Sequence, residues 1–223
     1  MNEFGTQAYS RSLRIVMRVA AVFLLIGFIA TWVILMNYWP KLDVGRVYLY
    51  TLLFVGYLVA ERRTFRGPDE DAYTERMWVR YVLTYAWWFL VLGSLLEHAL
   101  TLRSNSTVTI VGIVLAVAGI LLDLWAGNTL SKSLGKRIDT WREMRIIETG
   151  PYRWIRHPSY AASMLVVVGL PLVMNAYYSL LLSAVLIVLF MQRLLLEETF
   201  LAQRLPTYAA YVQRTHRLIP GIW

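Results

Sequence analysis

Uncharged apolar runs, each followed by a short polar stretch, recur along most of this chain. The first, Val19 to Met36, carries no charged residue and is long enough as a helix to cross about 30 Å of hydrocarbon. Arg14 and Arg18 precede it, placed to snorkel, and Tyr38 and Trp39 stand at its far end as interfacial belt residues. Further runs, from about Val44 to Ala60, about Trp78 to Leu96 and about Val108 to Ala126, predict three more spans. The last apolar region, Tyr160 to Met191, differs because Pro171 and Asn175 divide it into halves short for independent crossings. It reads as a helical hairpin that dips into the membrane and returns, with two short full crossings as the alternative. The expected fold is therefore all-α: a polytopic membrane helical bundle of about four transmembrane spans plus a C-terminal hairpin. That makes five to six membrane helices and no Rossmann domain.

Composition narrows the class. The chain is 58% hydrophobic and 16% charged, with a mean hydropathy of +0.51. These values exclude a disordered or fibrous protein and argue against a water-soluble monomer. Lys and Arg number 22 against 14 Asp and Glu, a net charge of +8, which at this apolar content points to anionic lipid rather than nucleic acid. The absence of cysteine removes disulfides, thiolate nucleophiles, zinc–cysteine sites and iron–sulfur clusters together. No cleaved signal peptide is expected, since the first apolar stretch is long and lacks a small-residue cleavage site.

Arginine and lysine alternate in density between successive loops. Arg11, Arg14 and Arg18 precede the first span, Arg62, Arg63, Arg66, Arg76 and Arg80 fill the second loop, and Lys132, Lys136, Arg137, Arg142, Arg145, Arg153 and Arg156 fill the fourth. The first loop offers only Lys41 and Arg46, and the third only Arg103. The positive-inside rule then puts the N-terminus, the fourth loop and the tail in the cytoplasm. Residues 1–130 are expected to form the bundle and 131–223 a cytoplasm-facing catalytic region, without internal repeats or low-complexity tracts.

Unusual polarity gathers at one place. The run Glu148 to Tyr160 is dense in Gly, Pro, aromatic and cationic residues, and Gly150-Pro151 signals a turn. His157 precedes a proline, which pushes it out of the α region, and Pro158 suits the first helical position. The hairpin helix should thus start at Pro158, with His157 beside its positive end and free N–H groups suited to an anion. An interfacial cap of Trp, Tyr and Arg anchored among headgroups is the equal alternative. Beyond the hairpin, Arg193 and Glu197 share one helix face, in the order less favourable for a simple helix-stabilising pair. If both feet of the hairpin meet at one membrane face, Tyr152, Arg153, Arg156 and Tyr160 form a cationic, aromatic cleft facing the Glu197-Glu198 pair. A zwitterionic ligand would match it.

Other positions carry less. Asp123 is either functional or a headgroup-level acid paired with Lys132 or Lys136, and Glu97-His98 is expected to be exposed at the outer interface. The mixed charges of the second loop fit a solvated surface loop. Gly112, Ala116 and Gly119 form a small-residue stripe suited to helix packing. Tyr208 and Tyr211, after Pro206, suggest an amphipathic cover over the cleft or an interfacial anchor. No P-loop, G-x-G-x-x-G or H-E-x-x-H element is present.

Leu134-Gly135, Gly150-Pro151-Tyr152, Arg156-His157-Pro158-Ser159-Tyr160, Glu197-Glu198, Tyr208, Tyr211 and Pro220 together resemble the isoprenylcysteine carboxyl methyltransferase family and its phospholipid methyltransferase relatives. Ala161-Ala162 departs from the glycine that many members carry after the tyrosine. The resemblance implies an S-adenosylmethionine-dependent enzyme without a Rossmann domain. It also implies site roles: Tyr152, His157, Pro158, Ser159 and Tyr160 hold the cofactor, with Arg145, Ile146 and Ile147 as a loop wall around it. Glu197 would bind the cofactor's amino group and Arg193 the methyl acceptor. No metal is implied. The partners expected are a lipophilic or prenylated acceptor and the bilayer, with no nucleic acid.

Two other functions stay open at this point. Sterol-type NADPH-dependent membrane reductases share a similar Arg-His-x-x-Tyr-like segment, and a non-catalytic lipid-binding protein would use the basic loops only to grip headgroups. Prenylcysteine carboxylate, a thiol and a lipid amine are all open as acceptors.

Overall fold

A computed structural model of the protein describes residues 22, 26–33, 43–64, 77–134 and 146–221. The chain divides into two compact units, 1–44 and 45–223. In the first, residues 26–33 are helical, within the predicted Val19–Met36 span, most of whose remainder lies outside the described residues, as does most of the charged second loop. From Val44 onward the chain forms α1 (Val44–Thr64), α2 (Met77–Thr101), α3 (Ser106–Leu134), α4 (Pro158–Val173), α5 (Ser179–Arg204) and the short α6 (Tyr208–Val212). Among the described residues there is no strand, only an isolated parallel bridge between Ile155 and His216.

Four of these helices are long and apolar enough to cross a membrane: α1, α2, α3 and α5. Their outward residues, such as Ile110, Val114 and Leu121 on α3 and Leu181, Val185 and Val188 on α5, are exposed apolar side chains suited to lipid. The protein is an all-α polytopic membrane bundle.

The bundle is tied from helix to helix. Leu83 and Leu90 of α2, Val167 of α4, and Leu186 and Phe190 of α5 form one buried cluster. Tyr57 of α1 stacks on Trp87 of α2 with centroids 4.9 Å apart, and its hydroxyl lies 3.0 Å from Ser163 Oγ on α4. The closest pairing is α3 against α4, and the glycines explain it. A Cβ on Gly112 would lie 2.5 Å from the Val173 nitrogen, and one on Gly119 2.7 Å from the Ala162 oxygen. Gly169 makes the reciprocal approach from α4, 2.7 Å from the Ala116 nitrogen. The small-residue stripe is a backbone contact surface, as expected.

The expected hairpin is present as α4 and α5. Its bend, Met174 to Tyr178, is tied to the segment joining α2 and α3. Asn175, in the left-handed region at φ 55°, accepts from the Asn105 N–H at 2.8 Å and donates to Thr109 Oγ1 at 2.8 Å. α4 lies along α3, itself a candidate span, from Gly119 to Thr109, and of the two arms α5 is long and apolar enough to cross a membrane while α4 is shorter. The chain reverses at Asn175, whereas Pro171 stays inside α4. Proline deprives the Val167 carbonyl of its helical donor, and Ser183 Oγ of α5 replaces it at 2.7 Å.

At that same bend the expectation for Glu97-His98 fails. Glu97 is 8% and His98 2% exposed. Glu97 accepts from the Tyr178 and Ser179 N–H groups at 2.9 and 2.8 Å and from Ser179 Oγ at 2.9 Å. A carboxylate at the start of α5 satisfies donors that have no partner within the helix. The signal was absent from local sequence because the donors lie some eighty residues away.

Candidate functional site

The opposite end of the hairpin is built from three segments. Gly150, at φ 58°, opens a tight turn, Gly150–Arg153, and its α-carbon packs so closely on the Thr129 side chain that any Cβ would collide. The chain then pairs with the tail: Arg156 N–H donates to the His216 carbonyl at 2.8 Å, His157 N–H to that of Arg217 at 3.1 Å, and His216 N–H to that of Trp154 at 3.0 Å. His157, at φ −125° and ψ 61°, is the N-cap residue of α4, and Pro158 is its first helical residue. No side chain caps this helix start.

Both feet of the hairpin converge here. Tyr160, in the first turn of α4, donates its hydroxyl to Glu197 Oε2 of α5 at 2.7 Å. The adjacent Glu198 is held by three cationic or ionisable groups. Arg156 Nε reaches Oε1 at 2.8 Å, Arg217 Nε reaches Oε2 at 2.8 Å, and His157 Nε2 lies 3.3 Å from Oε1. Arg156 also donates through Nη1 to the carbonyls of Val212 and Thr215.

The sequence-predicted residues therefore divide. Tyr160 and Glu197 touch. Ser159 follows His157 and Pro158 in the same turn, its Oγ buried and turned toward the Tyr152 phenol. Tyr152, in the tight turn, is half-buried, as are Ile146 and Ile147 before it, while Arg145 lies outside the described residues. Arg193 is half-buried one turn before Glu197. Two expectations change. Arg153 is exposed, and Arg156, whose side chain is only 7% exposed, is committed to Glu198 rather than to an open cleft. His157 likewise turns its ring to Glu198. A buried guanidinium needs a fixed counter-charge, and the second carboxylate of the Glu-Glu pair provides it.

The tail folds back onto the turn before α4. Tyr208 and Tyr211 are each 4% exposed. Tyr211 donates its hydroxyl to the Tyr152 carbonyl at 2.7 Å, whereas the Tyr208 hydroxyl is buried without a hydrogen-bond partner. Burial pushes the Tyr152 phenol up to about 12, with the negative charges of Asp123 and Glu197 adding to it and Ser159 opposing. Asp123 is thus part of this surrounding. It is 2% exposed, while Lys132 is exposed and Lys136 lies outside the described residues.

Sequence reasoning missed two features. Glu198 was visible as one member of a pair, but its lock depends on Arg217, which no periodicity connects to it. The buried, unpartnered state of Tyr208 depends on how the tail folds back.

The chain is 25% identical over 106 residues to an uncharacterized Bacillus subtilis (strain 168) protein, YpbQ, covering 47% of this chain and 62% of that protein. It thus spans somewhat less than two thirds of that relative's length. Residues 110–203, which run through α3 and the hairpin and carry Tyr152, His157, Tyr160, Arg193 and Glu197, match the isoprenylcysteine carboxyl methyltransferase (ICMT) family. The family resemblance read from the motifs thus holds across the segment that brings both feet of the site together.

Proposed function

We propose that the protein is an S-adenosylmethionine-dependent integral membrane methyltransferase that methylates the carboxylate of an isoprenylcysteine or a similar lipophilic acceptor. One observation carries this reading: the first turn of α4 and Glu197 of α5 meet through the 2.7 Å Tyr160–Glu197 hydrogen bond at the foot of the hairpin. The family match over the same residues supports it.

The donor set suits such a cofactor. Glu197 is a half-buried carboxylate for an ammonium group. The uncapped start of α4, with the positive end of its dipole and the buried Ser159 hydroxyl beside it, suits a carboxylate. Tyr152 and Tyr160 offer ring faces to a sulfonium, and Ile146 and Ile147 complete the wall. S-adenosylmethionine supplies a methyl group on positively charged sulfur, activated for in-line displacement. Arg193 grips the acceptor carboxylate through its fork and fixes its approach. A carboxylate is ionised at neutral pH, so no side chain has to remove a proton. The chain's contribution is alignment and exclusion of water. The site faces the cytoplasm, where a polar cofactor is available, and the acceptor arrives sideways from the lipid.

Calorimetric titration of active, detergent-solubilised protein with S-adenosylhomocysteine is expected to give a saturable site. No binding would overturn the reading, and saturable NADPH binding in its place would favour a reductase. Glu197→Ala is expected to abolish cofactor binding, and Arg193→Ala to raise the acceptor KM with cofactor affinity retained. Equal loss of cofactor affinity in both variants would overturn these roles.

A further inference from the structure

Among the groups around the site, Tyr208 stands apart. It is 4% exposed, yet its hydroxyl has no hydrogen-bond partner. A buried polar group without a partner costs free energy comparable to a lost hydrogen bond, so such groups are uncommon in folded proteins. Its neighbour Tyr211, with a ring centroid 6.1 Å away, shows the ordinary alternative, donating to the Tyr152 carbonyl at 2.7 Å. Tyr211 latches the tail to the turn, and Tyr208 performs no such task.

The surroundings of Tyr208 define what it can bind. Glu198, Arg156, Glu197 and Arg217 are the charges that act on its hydroxyl. Burial and the two carboxylates hold the phenol above its ordinary range, so it stays protonated and available as a donor. Neither carboxylate is its acceptor. Glu198 receives Arg156, His157 and Arg217, and Glu197 receives Tyr160. The missing partner is therefore an acceptor brought in from outside, and the positive end of α4, which no side chain caps, favours an anion over a neutral carbonyl. An α-amino acid moiety offers this together with an ammonium for Glu197, the two charges separated by a single carbon.

We infer that Tyr208 is a cofactor-binding residue whose hydroxyl donates to the α-carboxylate of the amino-acid end of the cofactor, clasping it against the uncapped start of α4. The inference rests on the S-adenosylmethionine reading of the site. It makes the tail part of the binding site, beyond the hairpin that carries the family match.

The test is calorimetry of wild type and Tyr208→Phe with two probes: S-adenosylhomocysteine, and its decarboxylated counterpart, which keeps the adenosine, sulfur and amino group. Tyr208→Phe is expected to weaken S-adenosylhomocysteine binding about tenfold, the size of one hydrogen bond to a charged group. Affinity for the decarboxylated probe should not change. The ligand-free variant should melt at or above the wild-type temperature, because the hydroxyl removed has no partner. Unchanged S-adenosylhomocysteine affinity, an equal loss for both probes, or a lower melting temperature would each overturn the inference while leaving the methyltransferase reading intact. No binding by wild type would overturn both.

Discussion

Glu198 receives side chains from the approach to α4 and from the tail, and its neighbour Glu197 turns instead toward Tyr160. Adjacent carboxylates thus take separate work: one fastens the tail, the other joins the two feet of the hairpin through Tyr160. Removing one partner of a buried ion pair leaves the others uncompensated, at a cost of about 3–5 kcal/mol. Glu198→Gln is therefore expected to lower stability by about 3 kcal/mol and to free the tail, seen as early proteolysis within residues 205–221 while the spans stay intact. Survival of the tail at wild-type protease levels would contradict that role. At this scale the sequence was partly legible. Tyr160 and Glu197 lie near the ends of one apolar region, so their meeting followed from the hairpin. The commitment of Arg156 and His157 to Glu198 did not, since an arginine beside an aromatic run reads the same whether it awaits a ligand or a carboxylate.

Among the elements, α3 and α4 form the closest pair because glycine permits it. With Gly112 held 2.5 Å, at a notional Cβ, from the Val173 nitrogen, Gly112→Val must push the helices apart. The expected cost is about 1–3 kcal/mol, as in other overpacked cores, read as a lower melting temperature in detergent. Ile110→Val, at an exposed apolar position of the same helix, is the control and should melt like wild type. The helices and this stripe were readable, because long uncharged runs and small residues at helical spacing are local signals. The construction of the bend was not. Pro171 reads as a breaker, yet its consequence depends on Ser183 satisfying the freed Val167 carbonyl, and the reversal depends on Asn105 and Thr109 receiving Asn175.

For the whole molecule, the bend and the site occupy opposite ends of the hairpin, so the arginine-rich fourth loop and the sparse third loop should face different compartments. The chain contains no cysteine, which makes single-cysteine labelling direct. Ser106→Cys, at the exposed start of α3, should react with an impermeant maleimide from outside intact cells, and Arg153→Cys, at the exposed turn, only after permeabilisation. Labelling of both from one side would reject the two-sided arrangement.

The shortness of α4 has a consequence for kinetics. Its 16 residues rise about 24 Å, less than the hydrocarbon thickness of about 30 Å. With the bend at the far face, its start, and the niche around Tyr160 and Glu197, would be drawn below headgroup level. In the proposed enzyme an acceptor then reaches Arg193 without leaving the lipid phase. Turnover would follow the mole fraction of acceptor within the bilayer rather than its bulk molarity, and dilution with inert lipid at constant total acceptor would slow it.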